Sequence, residues 1–308
     1  MLTLRDARAI ADAVDTPVFV YDLDAIRQRV ERLHSTVASV APFGFTLRYA
    51  MKANSCLALL QVLRDLPAPI NLHIDASSEY EVLRAMRAGF PASRIQLTSQ
   101  FPVQNVAAKF VQQGGSYNAC SLLQLQRFAA DCAAAAASSS YSTLQSTTSS
   151  SSILSSPPHV CLRVNPGLGS GGTNRTNVGG PASSFGVWHE QLDEALRIAH
   201  QHSVKITACH SHIGSGTDPT TWARAADLTL ALVARMPDVT TVSLGGGFKV
   251  DRMLAADPID MRVVAQGIAD RLQNFYTLHK RKLHLELEPG TFLVAQHGCV
   301  LSRCVDVV

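Results

Sequence analysis

A (β/α)8, TIM-like barrel is the fold this sequence predicts, and three observations carry the prediction. Short apolar, β-branched runs recur at 45–51, 70–74, 94–98, 116–119, 160–164, 205–210, 240–244 and 283–287, eight in all. Segments with helical apolar spacing lie between them. Polar or glycine-containing motifs stand at the ends of most of these runs, where a barrel of this class gathers its catalytic groups. A doubly wound open sheet is the competitor, and spacing alone leaves it open.

Before the first barrel strand, residues 16–21 read as another strand, and Asp22 caps a helix with Leu23, Ile26, Val30 and Leu33 along one side. This N-terminal unit, 1–34, supplies one strand more than the barrel needs. The run 45–51 then leads into Lys52. Residues 78–88 read as a helix with Ser77 or Ser78 as N-cap, Val82, Leu83 and Met86 on one face, and Gly89 as its stop. From 133 to 158 the chain is almost entirely Ala, Ser and Thr, closing with Pro157-Pro158. Residues 133–137 read as the tail of a helix. Residues 138–156 bury too little apolar surface to offset their ordering entropy and are expected to be a disordered surface insertion, with a domain linker as the alternative. Further helices are expected at 191–202 and 266–278. The barrel is expected to span 35–290. Beyond it, 291–308 is read as strand-like, the beginning of a second β domain that the N-terminal strand joins and that the chain leaves truncated.

Composition narrows the function classes. The 308 residues are 46% hydrophobic and 17% charged, ample for a large core. The net charge of +3 is spread out, with no basic-aromatic interleaving, which argues against nucleic acid as a partner. The seven cysteines are scattered and form no CxxC pair, which argues against a zinc site or a disulfide framework and fits a reducing compartment. No apolar run is long enough to span a membrane, and residues 1–13 lack a secretory signal core. A cytoplasmic protein is expected.

The motifs at the strand ends carry the chemistry. In Tyr49-Ala50-Met51-Lys52-Ala53-Asn54 a lysine closes a buried strand. A desolvated amine loses its proton and can condense with a carbonyl; a lysine that snorkels to the sheet rim is the alternative. The second strand leads into Asp75-Ala76-Ser77-Ser78-Glu79-Tyr80-Glu81, and the fifth ends in Arg163-Val164-Asn165-Pro166. The sixth ends in His210-Ser211-His212-Ile213-Gly214-Ser215-Gly216. His210 and His212 are read as facing opposite sides of the strand, which leaves one at the barrel mouth and makes them a poor metal pair. Gly245-Gly246-Gly247-Phe248 follows the seventh strand; it is either a tight turn or a backbone cup for a phosphate. Glu288-Pro289-Gly290-Thr291 follows the eighth. A buried carboxylate such as Glu288 needs a cationic partner, and a protonated pyridine nitrogen would serve. Glu286 is read as pointing to the helices. These parts assemble a pyridoxal 5'-phosphate site with no metal: Lys52 as anchor, the glycines and Ser215 around the phosphate, His212 as stacking surface and Glu288 at the ring nitrogen. A protonated ring suits reactions through a carbanion at an amino-acid α-carbon, decarboxylation first and racemisation second.

The four motifs around Lys52, His212, Gly245 to Gly247 and Glu288 together resemble the fold type III, pyridoxal-phosphate-dependent decarboxylases, whose members act on diaminopimelate, ornithine, arginine or carboxynorspermidine. The resemblance covers residues 17–308 apart from the Ser-rich insertion. The His-Ser-His-Ile-Gly-Ser form and the block from Arg163 through Ser184-Phe185-Gly186 are similar to the diaminopimelate branch. The resemblance implies an alanine-racemase-like barrel followed by a β domain, in a homodimer with shared active sites. It also implies that Asp75 and Glu81 support the lysine and the cofactor, that Arg163 lies under the ring, and that Gly245, Gly246, Gly247 and Ser215 hold the phosphate. The implied activity is conversion of meso-diaminopimelate to lysine and CO2. Decarboxylation of another amino acid, a non-catalytic binding homologue and an amino-acid racemase are the alternatives.

Two departures bear on the substrate. Where the family often carries arginine after Glu-Pro-Gly, this chain has Thr291, which brings no charge. The family's C-terminal Cys-Glu-Ser segment and later tyrosine are absent, so a fragment, a truncated product or a degenerate homologue is expected.

Overall fold

A computed structural model of the chain describes residues 2–101, 106–143, 157–171, 177–250 and 259–307. The chain opens with α1 (Leu4–Val14), β1 (Val18–Tyr21) and α2 (Leu23–Ala38). Next come β2 (Phe45–Ala50), α3 (Leu57–Arg64), β3 (His73–Ala76), α4 (Glu79–Arg87), β4 (Ile95–Leu97) and α5 (Val106–Gln112). They are followed by β5 (Ser116–Ala119), α6 (Leu122–Thr143), β6 (His159–Asn165), β7 (Val187–Trp188) and α7 (Leu192–Gln201). The chain continues through β8 (Lys205–Ser211), α8 (Pro219–Val233), β9 (Thr241–Ser243), α9 (Met261–His279), β10 (His284–Leu287), α10 (Thr291–Val294) and β11 (Gly298–Leu301).

Eight parallel strands close on themselves in the order β2-β3-β4-β5-β6-β8-β9-β10, with β10 returning to β2 and the short β7 pairing beside β6. Closure at β5–β6 pairs Asn118 with Cys161. The expected barrel is therefore formed, and the open sheet is excluded. Alternation along the strands explains why it is stable. Leu47, Tyr49, Ile74, Leu162, Val242 and Leu285 are buried in the apolar core shared with the helices. The residues between them, including Arg48, Asp75, Gln96, Asn118, Arg163 and His210, are polar and also buried. This barrel therefore has a polar interior, and its apolar core is the shell between strands and helices.

Several sequence expectations are corrected here. The strand expected at 70–74 begins only at His73. Pro67 and Pro69 have no N–H for the ladder, and the Ile70 N–H turns back to Pro67 O. On α4 the buried face is Val82 and Ala85, while Leu83 and Met86 are exposed. Its cap is Ser78, whose Oγ accepts from the Glu81 N–H. Helix α9 starts five residues earlier than expected, because Asp260 caps it and Met261, Val264 and Ala265 extend its buried stripe. Helix α6 continues to Thr143, into the stretch expected to be disordered, consistent with helix propagation through its alanines; residues 144–156 of that stretch lie outside the described residues.

Residues 291–295, read as a strand, instead begin with α10. Phe292, Leu293 and Val294 are all buried, which an alternating strand face would not allow, and the Leu293 N–H bonds Gly290 O. Strand β11 pairs antiparallel with β1, Val18 facing Leu301 and Tyr21 facing Gly298. Helix α1 was not anticipated; Thr3 caps it, and none of its residues is buried. Among the described residues no helix is long and apolar enough to cross a membrane.

Candidate active site

The C-terminal ends of the barrel strands surround a cavity of about 590 Å³. Lys52, Asp75, Arg163, His212, Ser215, Gly246, Gly247, Glu288, Gly290 and Thr291 all line it. Residues from the ends of six strands, distant in sequence, thus meet in one place.

Lys52 departs from its expected environment. Strand β2 ends at Ala50, and a 3-10 turn (Met51–Ala53) carries Lys52 out of the wall. Its side chain is exposed at the cavity mouth rather than enclosed in the strand wall. The turn itself is firmly held. Ala50 N–H donates to Pro289 O at 3.2 Å, and Tyr49 Oη donates to Asn54 O at 2.9 Å. Gly290 packs so closely on this turn that a Cβ there would stand 2.9 Å from Ala50 O. Pro289 and Gly290 therefore brace the lysine turn.

Glu288 is buried and well partnered. Its Oε1 accepts from Ser243 Oγ at 2.9 Å and from Gln96 Nε2 at 3.1 Å. His210 Nε2 lies 3.2 Å from Oε2, close to the carboxylate but off the line a hydrogen bond needs. Burial alone would raise the Glu288 pKa. His210, the Ser243 hydroxyl and Arg48 outweigh it and hold the carboxyl well below the usual range. Glu288 is thus an anion aimed into a cavity.

Asp75 is its opposite. Burial and the Glu288 charge push it up to about 6 from an ordinary 3.8, with Lys52, the Thr98 hydroxyl and His210 opposing. Its Oδ1 is buried without a hydrogen-bond partner. Because the folded-state pKa is raised, Asp75 contributes stability fully below its unfolded value, and that contribution is lost as pH rises through about 6. An Asp75→Asn variant, neutral at every pH, is therefore expected to melt a few degrees above wild type at neutral pH. The gap should close below about pH 4. Melting curves across this range check the prediction; a gap independent of pH would contradict it.

The two histidines correct the expected geometry. Residues two apart share a face of a strand. His210 and His212 accordingly both line the cavity, their rings 6.5 Å apart and 14° from parallel. His210 Nδ1 lies 2.6 Å from Asn118 Nδ2. For His212, burial and then the nearby Arg163 and Lys52 charges hold the imidazole pKa well below its usual value, leaving a neutral ring. Glu286 shares parity with Glu288 and likewise points inward, not to the helices. It takes Arg48 in a bidentate pair, Nε to Oε2 at 2.9 Å and Nη2 to Oε1 at 2.6 Å.

The glycine turn follows β9. Gly245 (φ +65°) lies against His212, where a Cβ would stand 2.6 Å from Nδ1. At Gly247 (φ +84°) a Cβ would fall 1.7 Å from Gly214 O, so only glycine fits. Trp222, fully buried, donates from Nε1 to Gly246 O at 3.3 Å and backs this turn from α8. Arg163 lies over the Phe185 ring at 5.1 Å. Glu81 does not line the cavity; its Oε2 accepts the Ser77 N–H at 2.6 Å and ties the N-terminal turn of α4 to the loop after β3. Pro289 also lies outside the lining, behind Gly290.

Sequence reasoning missed the residues that position the carboxylate: Gln96, Asn118, His210 and Ser243, together with Thr98. Each is a polar residue in or beside an apolar strand with inward parity, and that pattern is the signal that could have found them.

Comparison with known proteins shows the family. The model of the pyridoxal-dependent decarboxylases' pyridoxal-binding domain matches residues 23–295. Diaminopimelate decarboxylase of Streptomyces coelicolor is 30% identical over 303 residues, covering 94% of this chain and 59% of that protein. The Escherichia coli K12 enzyme of the same name is 28% identical, covering 99% of this chain and 66% of that protein. Among solved structures, a diaminopimelate decarboxylase superposes with a TM-score of 0.79 at 25% identity, over 97% of this chain and 64% of that one. The chain thus spans about three fifths to two thirds of the length of these relatives.

Proposed function

Because this chain belongs to the pyridoxal-dependent decarboxylases, we propose that its barrel mouth holds pyridoxal 5'-phosphate for the α-decarboxylation of an amino acid. The observation that carries the reading is one cavity in which an exposed amine, an ionised carboxylate, a neutral imidazole and a glycine turn converge. The residues fit the cofactor on two counts. Asp75 Oδ1 and His212 Nδ1 are buried polar atoms without partners at the cavity. The rim is built from glycines, which leave the backbone open to close approach.

In this reading Lys52 is the covalent anchor, and its amine is free to move a proton at the substrate α-carbon. The ionised Glu288 would pair the ring nitrogen and hold its proton there. His212 offers a flat uncharged face for stacking. Ser215, Gly245, Gly246 and Gly247 would hold the phosphate, with Gly290 and Thr291 at the same cavity. Asp75 supports the lysine electrostatically, Arg163 would lie toward the ring, and Glu81 acts at one remove by tying the loop after β3 to α4. When bound, pyridoxal phosphate supplies an electron sink for the pair released from the α-carbon as CO2 leaves. The ionised Glu288 strengthens that sink, which favours decarboxylation over racemisation.

The substrate we infer is meso-diaminopimelate, giving lysine; its support is that the relatives at 28–30% identity carry that name. A homodimer with shared sites is part of the same reading. So is a unit outside the barrel, made of residues 1–34 and 291–308 and joined through the β1–β11 pairing. The test is CO2 release from diaminopimelate, ornithine, arginine and alanine by the cofactor-loaded protein. Turnover of diaminopimelate well above the others is the expected result. Preference for another amino acid would overturn the substrate, and racemisation of alanine without CO2 would overturn the reaction.

A further inference from the structure

Resting on the pyridoxal-phosphate reading above, we propose that Lys249 is the counter-charge for the cofactor's phosphate. A phosphate monoester carries about −1.5 to −2 charges near neutral pH. The groups bordering its expected place are backbone N–H groups and the hydroxyls of Ser215 and Thr291, all uncharged. Among the described residues, three cationic side chains line the cavity: Lys52, Arg163 and Lys249. Lys52 is committed as anchor. Arg163 is buried over Phe185. Lys249 remains, and it stands two residues beyond the last glycine of the turn.

The backbone fixes it there. Lys249 N–H donates to Gly216 O at 3.1 Å, and Gly216 N–H donates to Gly247 O at 3.1 Å. These two bonds clamp the Ser215-Gly216 loop and the Gly247-Phe248-Lys249 segment together, so Lys249 starts from the same rim as Ser215. Phe248 is locked beneath by Trp222 and Phe292 at centroid distances of 5.3 and 6.1 Å. The side chain of Lys249 is exposed, and no hydrogen bond or ion pair engages its ammonium among the described residues. A flexible lysine serves as a point charge for phosphate without needing bidentate geometry. A substrate carboxylate is the other anion such a lysine meets, and the test separates the two.

Pyridoxal phosphate and unphosphorylated pyridoxal are titrated into wild type, Lys249→Met and Lys249→Arg, with absorbance as readout. The expected result is about tenfold weaker binding of the phosphate by Lys249→Met. Pyridoxal affinity should be unchanged, and Lys249→Arg should restore most of the loss. Equal affinity of wild type and Lys249→Met for pyridoxal phosphate would overturn the proposal. So would an equal loss for both compounds, or a raised substrate KM with cofactor affinity intact. Wild type that binds neither compound would instead overturn the pyridoxal site itself, and this proposal with it.

Discussion

Replacing Lys52 by alanine is expected to abolish the visible absorbance of lysine-bound pyridoxal phosphate and to lower decarboxylation by about 10²–10⁴-fold. The expectation is unusually clean because Lys52 carries little of the fold. It sits exposed on a 3-10 turn held by the backbone bonds of Ala50 and Asn54, not by its own side chain. Stability should therefore change by no more than about 0.5 kcal/mol. Lys52→Arg keeps the positive charge but not the nucleophilic amine, and it should lose the same absorbance. Titration with cofactor, followed by a melting curve of each variant, checks both halves. Retention of the band in Lys52→Arg would place the anchor elsewhere.

The second large effect lies one layer below the cavity. Arg48 and Glu286 form a bidentate pair whose side chains are 7% and 9% exposed. For Arg48, burial alone would favour losing the proton, but Glu286 outweighs it and raises the pKa. Glu286→Leu leaves a guanidinium in the barrel interior with His73 Nδ1 at 3.5 Å as its nearest remaining partner. The expected cost is about 3–5 kcal/mol. The double variant Arg48→Met/Glu286→Leu removes both charges and should recover most of it. Urea unfolding of Glu286→Leu, Arg48→Met and the double variant measures this directly, and a cost for the double variant equal to the sum of the two singles would refute coupling. Arg48 also helps keep Glu288 ionised. The double variant is thus expected to retain its fold while binding the protonated cofactor ring less well.

Much of the site was legible because the barrel brings strand ends together wherever they fall in the chain. Once 45–51, 205–210, 240–244 and 283–287 were read as barrel strands, Lys52, His212, Gly245 to Gly247 and Glu288 had to share one mouth. What stayed hidden was the barrel interior. The expectation that strand interiors are apolar does not anticipate a buried belt of Arg48, Gln96, Asn118, His210 and Glu286, each of which pairs with a residue far away in sequence. Strand parity explains two further differences: residues two apart face the same side, which brings His210 to the cavity beside His212 and turns Glu286 inward to Arg48. The lysine's environment was misread for a related reason. An apolar run continuing through Met51 hides the point where the strand ends at Ala50 and the chain turns outward. Helix α10 was hidden because a four-residue apolar run carries no period; the packing of Phe292 against Phe248 and Arg29 decides it.

The proposed activity turns on one bond, between Lys52 and the cofactor. It is tested most directly by incubating the chain with pyridoxal phosphate, reducing with borohydride and mapping the modified peptide by mass spectrometry. The predicted result is a single phosphopyridoxyl group on Lys52. A group on Lys249 or another lysine with Lys52 unmodified, or no modification at all, would contradict it.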